Sequence, residues 1–318
     1  MEPLPESPES WRLAVIGSGA VGCYYGAKLA RAGNRVNFLM RRDLAHVRCH
    51  GLDIRSHLGD FHLPEVNAFG STGEMGPADL VIVTLKTTAN PDLAALLPPL
   101  LHGSTRILTL QNGLGNEEFL ADRWGADRVL GGVCFTCINR TAPGRVEHTA
   151  QGAIALGSLT AASEDAAAAF AGLLERAGVS CRHANDIAAV RWRKLVWNIP
   201  FNGLAIAAGG IDTRRILDDP DLAALAVGLM QEVIAAATRL GYPLPGDMVA
   251  DQLAATRTMA AYRPSSMIDF VEGREVETEA IWGEPLRRAR AAGAEVPRLA
   301  MLHALIRSLV AQRRASSP

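Results

Sequence analysis

A glycine-rich hexapeptide near the start of the chain lies between a strand pattern and a helical pattern. The apolar run Arg12–Gly17 leads into a G-x-G-x-x-G sequence, and a helical pattern over Ala20–Ala32 follows directly. Glycines at this spacing permit a tight turn, a close approach of the backbone to a pyrophosphate, and close packing of the helix on the strand. The N-terminus of the helix adds N–H groups and the positive end of its dipole. The motif predicts a dinucleotide-binding turn, with an ordinary glycine-rich turn as the alternative; its residues are Gly17, Ser18, Gly19, Ala20, Val21 and Gly22.

Two arginines follow the second predicted strand, Arg35–Met40. In dinucleotide-binding domains an acidic residue here, about twenty residues past the glycines, binds a ribose 2′-hydroxyl. Arg41 and Arg42 stand at this place instead, and positive charge favours a 2′-phosphate. The sequence therefore predicts NADP(H) as the cofactor. Asp43 is close enough to keep NAD(H) open, and a solvated basic turn would give the same pattern.

Short apolar runs alternate with helical patterns through the first half of the chain. Near-continuously apolar strands separated by helices predict a parallel sheet with helices on both faces. A β-rich stretch follows over about 129–157, with Pro143-Gly144 as its turn and His148 as a structural residue, and a helix begins at Ser163. The earlier predicted elements are the strands Arg12–Gly17, Arg35–Met40, Leu80–Leu85 and Arg106–Leu110, and the helices Ala20–Ala32, Asn90–Leu97 and Asn116–Arg123.

Strand patterns cease near residue 185, and long helical patterns take their place. They run over 186–208, 219–240, 247–260, 276–292 and 298–313. The predicted fold class is α/β, with an N-terminal Rossmann-type doubly wound domain, an all-helical C-terminal domain and an active site in the interdomain cleft. The predicted boundaries are 1–10 for a disordered tail, 11–185 for the NADP-binding domain and 186–318 for the helical substrate domain.

The composition argues against several classes of partner. A net charge of -1 gives no basic surface for nucleic acid or for a membrane, and no apolar run is long enough to span a bilayer. The acidic, proline-rich start does not resemble a signal peptide, and five cysteines, an odd number, indicate a reducing cytoplasm. Cys134 and Cys137 lack a matching second pair, so no metal site is predicted. Periodicity does not distinguish a core face from an interface, which leaves a homodimer open.

Lysine is rare in this chain, although basic residues are not. Of 32 lysines and arginines only Lys28, Lys86 and Lys194 are lysine. Arginine does not give up its proton in a protein, whereas lysine can act as an acid. A lysine kept in such a chain is a candidate for chemistry, and chance survival is the alternative.

Lys194 lies in a helical segment with two asparagines at i+4 and i+8. Lys194, Asn198 and Asn202 fall within one stripe of that helix, surrounded by apolar residues. An ammonium and two amides are costly to bury unless they bind a ligand or one another. The stripe predicts a binding site, with a satisfied structural network as the alternative. Pro200 removes a helical hydrogen bond, so we expect a kink between Asn198 and Asn202.

Together these motifs resemble the ketopantoate reductases (2-dehydropantoate 2-reductases) over about residues 11–312. No single motif is decisive, but their order along the chain is specific. The resemblance implies NADPH-dependent reduction of ketopantoate, or of a related branched 2-keto acid, in pantothenate biosynthesis. The motifs are Gly17–Gly22; Val83-Thr84-Leu85-Lys86; Leu110-Gln111-Asn112-Gly113-Leu114-Gly115-Asn116-Glu117; Trp192-Arg193-Lys194 with Asn198 and Asn202; Arg263-Pro264-Ser265-Ser266-Met267; and Glu277 beyond Gly273-Arg274.

The resemblance also implies a role for each matching residue. Lys194 would protonate the ketone oxygen as hydride reaches its carbon, and Glu277 would lie near that lysine and the substrate hydroxyl. The residues that would bind substrate are Asn112, Asn198, Asn202 and Ser266. Those that would serve the cofactor, besides the glycine turn, are Arg41 at the 2′-phosphate, and Lys86 and Asn112 on the nicotinamide side of the cleft.

The chain departs from the family pattern on the substrate side. Asp212 stands where an asparagine is common, and the segment between Ser266 and Glu277 needs a gap of about one residue to align with the family pattern. With Pro200, these changes bear on which 2-keto acid is reduced. Two other interpretations are a β-hydroxyacid dehydrogenase, which typically has G-x-S-G near residue 115, and a non-catalytic NADPH-binding regulator, which would not need Lys194, Asn198 and Glu277 together.

Overall fold

A computed structural model of the chain describes residues 4–5, 7–259 and 261–315. By their internal contacts these residues divide into two compact units, the first within Met1–Gln111 and Asn116–Ile187, the second within Asn112–Gly115 and Ala188–Pro318. The sequence prediction placed Asn112–Gly115 in the domain 11–185, whereas its contacts place it in the second unit. The predicted disordered tail lies partly outside the described residues, at 1–3 and 6, while Pro8–Ser10 form a 3-10 turn.

The described part of the first unit contains one ten-stranded mixed sheet. Its strand order is β4-β3-β9-β8-β7-β6-β1-β2-β5, with β10 beside β9. The strands are β1 Arg12–Ile16, β2 Arg35–Leu39, β3 Leu52–Ser56, β4 Phe61–Leu63, β5 Asn67–Phe69, β6 Leu80–Val83, β7 Arg106–Thr109, β8 Val129–Ala142, β9 Arg145–Ser158 and β10 Cys181–His183. The parallel run from β7 through β6 and β1 to β2 and β5 is the predicted doubly wound core.

Helices cover this sheet on both faces, and the strand residues alternate between two buried clusters. Leu13 and Val15 of β1 pack with helical residues such as Phe170, whereas Ala14 and Ile16 pack with others such as Leu120. This alternation is the period of two that a strand imposes on its side chains. The helices of the first unit are α1 Ala20–Arg31, α2 Leu44–His50, α3 Thr72–Met75, α4 Leu93–Leu96, α5 Asn116–Trp124 and α6 Glu164–Arg176.

Two details differ from the sequence prediction. The helix predicted over Asn90–Leu97 is mostly a 3-10 turn, Thr87–Asp92, followed by the single turn α4. Pro91 lies inside that turn and donates no N–H, which disfavours a regular α-helix there. The short strands β3, β4, β5 and β10 were not predicted, because runs of three to five residues carry little periodicity.

The second unit is helical throughout its described residues, as predicted. Trp192, Leu195 and Ile199 of the first long helix pack into its core with residues such as Met230 and Leu299. Its helices are α7 Ile187–Ala207, α8 Thr213–Asp218, α9 Pro220–Arg239, α10 Met248–Thr258, α11 Ser265–Val271, α12 Glu284–Ala291 and α13 Pro297–Ala315, with a π-helical turn over Glu279–Gly283.

One helix of the described chain, α9, is long and apolar enough by composition to cross a membrane. Leu229, Met230 and Val233 of α9 are buried in the core of the second unit. The core position therefore accounts for its apolar character, as it does for many helices of folded domains.

Candidate active site

The glycine turn of the first unit has two positions at which a side chain would not fit. Gly17 has φ +106°, and a Cβ there would lie 2.4 Å from the backbone nitrogen of Leu85. A Cβ on Gly22 would lie 2.4 Å from the carbonyl oxygen of Gly17. These glycines therefore let β1, α1 and the chain after β6 approach one another closely, as the motif predicted.

Gly19 is the middle glycine of the motif. A Cβ added there would have no other atom within 4 Å. The protein itself thus places no steric demand on this position. Gly19 is also the N-cap of α1, with no side-chain cap and no acidic residue in the first turn. Open space beside uncapped N–H groups fits the approach of a pyrophosphate to the helix N-terminus.

The turn lies at the same sheet edge as the predicted specificity residues. β1 and β2 are parallel and in register, with Ile16 opposite Leu39, so the chain leaves both strands at one edge. The Ser18 hydroxyl donates to the carbonyl of Leu39 at 2.6 Å. Arg41, two residues beyond Leu39, is exposed.

Asp43 is held by other residues of the first unit. It is 9% exposed, and its Oδ2 accepts from the Arg140 guanidinium at 2.8 Å and from the backbone N–H of Gly144 at 3.3 Å. The carboxylate that kept NAD(H) open in the sequence is therefore engaged in fixing the β8–β9 hairpin. Lys86 follows β6 at the same edge of the sheet and is half-buried.

In the second unit, Lys194 on α7 meets Asn112 of the Asn112–Gly115 segment. The Lys194 Nζ donates to Asn112 Oδ1 at 2.7 Å, a distance typical of a charge-assisted hydrogen bond. The Arg191 guanidinium, one turn earlier on α7, donates to the carbonyl of Gly113 at 3.3 Å. The two predicted residues thus come together across 82 positions of sequence, and Arg191 is a contact that the sequence did not reveal.

Asn202 links the predicted substrate residues to one another. Its Oδ1 accepts from the backbone N–H of Ser266 at 2.9 Å, and its Nδ2 donates to the carbonyl of Asn198 at 3.1 Å. All three residues are buried. Asn202 therefore fixes the start of α11 against α7, and its NH₂ group carries a second N–H beyond the one used here.

Glu277 is buried and lies two residues before the π-helical turn Glu279–Gly283. The carbonyl of Ala280, in that turn, accepts from the backbone N–H of Leu114 at 3.0 Å. Lys194 and Ala280, three residues after Glu277, thus contact the same short segment, Asn112–Leu114. The π turn itself was not predicted.

Two departures on the substrate side have structural explanations. Asp212 is the N-cap of α8, where its Oδ1 accepts from the backbone N–H of Arg215 at 3.0 Å. Aspartate and asparagine serve this position about equally well. α7 continues through Pro200 to Ala207 as one helix, and the kink expected between Asn198 and Asn202 stays a prediction.

Among the described residues no group of three or more His, Cys, Asp or Glu side chains could hold a metal ion. Cys134 and Cys137 are buried on β8.

Comparisons with known proteins identify the family. Residues 13–161 match the family model described as "Ketopantoate reductase PanE/ApbA", and residues 186–310 match "Ketopantoate reductase PanE/ApbA C terminal". The chain belongs to the ketopantoate reductase family. Members of this family are pyridine-nucleotide-dependent oxidoreductases, which makes the chain an enzyme with a small-molecule substrate.

Individual relatives resemble the chain over nearly its full length. A 2-dehydropantoate 2-reductase from Nostoc sp. is 38% identical, over 95% of this chain and 96% of its own. The crystal structure of a 2-dehydropantoate 2-reductase from Geobacter metallireducens GS-15 has a TM-score of 0.91 at 44% identity, over 95% of this chain and 99% of that one. A D-mandelate dehydrogenase solved with NADH and anilino(oxo)acetate has a TM-score of 0.87 at 20% identity, a likeness of fold alone, over 95% of this chain and 99% of that one.

Proposed function

We propose that this chain reduces ketopantoate, or a related branched 2-keto acid, to the 2-hydroxy acid with NADPH, as a step of pantothenate biosynthesis. The observation that carries the proposal is the contact of Lys194 Nζ with Asn112 Oδ1 at 2.7 Å. This contact orients the Lys194 ammonium group, and Lys194 is half-buried. The names of the relatives at 38% and 44% identity support the choice of substrate.

Lys194 is the proton donor of the proposed reaction. When bound, NADPH supplies the hydride that adds to the ketone carbon. The C=O bond then becomes a C–O single bond, and negative charge develops on the oxygen. The Lys194 ammonium stabilises that charge and transfers one proton to the oxygen, leaving a neutral amine that takes up a proton from solvent. Asn112 holds the ammonium in place by accepting one of its hydrogen bonds.

The remaining predicted residues are proposed to hold the two ends of the substrate. Asn198, Ser266 and the second N–H of Asn202 would bind its carboxylate and hydroxyl groups, and Glu277 would bind the hydroxyl. Burial supports these roles, because a buried polar group that meets a polar ligand loses less free energy than one that meets apolar surface. Their order, from Asn198 to Glu277, matches the family motifs.

The proposed preference for NADPH rests on Arg41 and on Asp43. Arg41 is exposed beside the glycine turn, where a ribose 2′-phosphate would add negative charge. Asp43 is held through its Oδ2 by Arg140 and Gly144, which fix its carboxylate against the β8–β9 hairpin. A cytoplasmic location and a homodimer stay predictions from the sequence.

The test is a comparison of matched substrates and cofactors. Purified protein with NADPH and ketopantoate should consume NADPH and form pantoate, identified by mass spectrometry, and NADH should be used far less well. 2-Oxoisovalerate, which lacks only the hydroxymethyl group of ketopantoate, should react with a higher KM, because Glu277 loses its partner. Oxidation of β-hydroxy acids, or NADPH binding without turnover of any 2-keto acid, would contradict the proposal.

A further inference from the structure

A π-helical turn begins two residues after Glu277 in the second unit. In this turn, Glu279–Gly283, the backbone N–H of Glu284 donates to the carbonyl of Glu279, five residues back. π turns are rare and recur at functional sites, because the extra residue alters the direction of neighbouring carbonyl groups. Here the Ala280 carbonyl accepts from the N–H of Leu114, outside the helix, at 3.0 Å.

Gly113 is the residue that lets the chain approach this turn. Its φ is +82°, and an added Cβ would lie 2.3 Å from the carbonyl oxygen of Ala280 and 2.5 Å from its carbonyl carbon. Such distances are far inside van der Waals contact with rigid backbone atoms. Any side chain at this position would therefore push the segment away from the π turn.

The same short segment is held on its other side by α7. Arg191 donates to the Gly113 carbonyl at 3.3 Å, and Lys194 donates to Asn112 Oδ1 at 2.7 Å. The π turn also contacts α7 directly, since Trp282 Nε1 donates to the carbonyl of Ile199 at 3.0 Å. Three consecutive residues, Asn112 to Leu114, are thus fixed between the π turn and the helix of Lys194.

We propose that the π turn Glu279–Gly283 is a positioning element for Lys194. It anchors the backbone at Leu114 and Gly113, and this anchoring keeps the Asn112 amide against the ammonium. A lysine carries its charge on a flexible four-carbon stem, so an oriented acceptor limits where the proton is delivered. The proposal rests on the proposed function for its meaning in catalysis, whereas the contact itself can be tested without turnover.

Two glycines of the segment provide a matched pair of variants. Gly113→Ala brings a methyl group against the π turn. Gly115→Ala adds the same group at a similar positive φ of +90°, but its nearest neighbour is the flexible Glu284 side chain at 3.6 Å. Both variants carry backbone strain, and only Gly113→Ala displaces the segment from the π turn.

The first readout is the reactivity of Lys194 in the absence of substrate. Because the chain has three lysines, acylation by a limiting amount of acetic anhydride can be followed at Lys194 by peptide mass spectrometry, with Lys28 as internal reference. Gly113→Ala should accelerate acylation of Lys194 severalfold, since the ammonium form loses an acceptor that favours it. Gly115→Ala should match the wild type. Equal rates in all three proteins would overturn the proposal.

The second readout is turnover with ketopantoate and NADPH. Gly113→Ala should lower kcat by about tenfold or more, since misplacing a catalytic group by about 1 Å can cost that much. The basic limb of its pH profile should move to lower pH, with NADPH affinity unchanged. An unshifted pH profile with full kcat in Gly113→Ala would contradict the positioning role of the π turn. An inactive wild type would contradict the proposed function, and the acylation rates alone would then test the positioning role.

A gentler variant covers the case in which Gly113→Ala does not fold. Trp282→Phe keeps an aromatic ring in the core and removes the N–H that donates to Ile199, together with part of the buried indole. It should raise the acylation rate of Lys194 and shift the pH profile in the same direction, by a smaller amount. A Trp282→Phe protein indistinguishable from the wild type in both readouts would count against the π turn as the positioning element.

Discussion

Residues of the same type serve different purposes in the second unit, depending on what they contact. Asn112 accepts from the Lys194 ammonium, whereas Asn202 uses its amide oxygen on the backbone of Ser266. The spacing of Lys194, Asn198 and Asn202 in the sequence was enough to place them on one helix. It could not separate an amide that meets the ammonium from one that fixes the backbone, because those partners lie far away in sequence.

Arg41 is the residue proposed to contact the 2′-phosphate of NADPH directly. Replacing Arg41 with alanine should weaken NADPH binding by roughly 10- to 100-fold, because a charge-assisted hydrogen bond contributes about 1.5–3 kcal/mol. NADH binding should change little. Dissociation constants from nicotinamide fluorescence would measure both effects.

Arg42 is the matched control, since it is the next residue and is also exposed. Arg42→Ala should have a much smaller effect than Arg41→Ala if a specific phosphate contact is involved. Equal losses in the two variants would indicate only a general attraction of a basic turn for an anion.

At the scale of elements, the long and strongly patterned segments were predicted and the short or irregular ones were not. β1, β2, β6 and β7 and the long helices α1, α7 and α9 begin and end within about two residues of their predictions, the usual uncertainty of element ends. The π turn Glu279–Gly283 lies within the helix predicted over 276–292, and the sequence pattern did not distinguish it from a regular α-helix. β3 pairs with β9, where Ser56 lies opposite His148, and no local pattern reveals so distant a partner.

Substitutions at Asp212 test whether this residue caps α8 or binds substrate. Asp212→Ala should destabilise the protein by about 1 kcal/mol, because the N–H of Arg215 loses its acceptor. Asp212→Asn restores the family residue and should leave both the melting temperature and kcat/KM for ketopantoate nearly unchanged. A large change in kcat/KM for Asp212→Asn would place this carboxylate in the substrate site instead.

His148 lies on β9 where this strand pairs with β3. We expect its protonation to lower the stability of the first unit at acid pH. Burial, with a smaller effect of His57, lowers the pKa of His148 from its ordinary value of 6.5. The neutral ring, whose Nδ1 lies 2.9 Å from the Ser56 hydroxyl, is therefore the form that the fold favours. A lowered folded-state pKa contributes stability that is fully present above pH 6.5 and is lost as the pH falls through the folded value.

Melting temperatures measured from neutral pH downward should show this loss in the wild type. His148→Gln does not titrate, so its melting temperature should be lower at neutral pH but should fall less as the solution is acidified. His62→Gln on β4, which is exposed, is the control and should follow the wild type. An acid dependence unchanged by His148→Gln would assign it to other groups.

For the whole molecule, the sequence predicted a dinucleotide-binding unit and a helical unit. It did not predict that a short segment of the first half of the chain packs with the helical unit. Asn112–Gly115 follows the last residues of β7 in sequence, yet its contacts belong to the second unit. The reason is physical: Leu114 is buried in the helical core, and its N–H needs the Ala280 carbonyl. A composition shift near residue 185 could not reveal a segment of four residues that packs elsewhere.

Lys194 is proposed to deliver a proton to the ketone oxygen during reduction of a 2-keto acid. The most direct measurement is a single-turnover experiment in which NADPH-saturated wild type, Lys194→Ala and Lys194→Arg are mixed with ketopantoate. We expect rapid NADPH oxidation by the wild type and a loss of roughly 10²- to 10⁴-fold in Lys194→Ala, the usual contribution of a general acid. Lys194→Arg should stay impaired, because arginine keeps the charge but does not release the proton. Near-normal rates in either variant, with NADPH bound as tightly as in the wild type, would contradict this account.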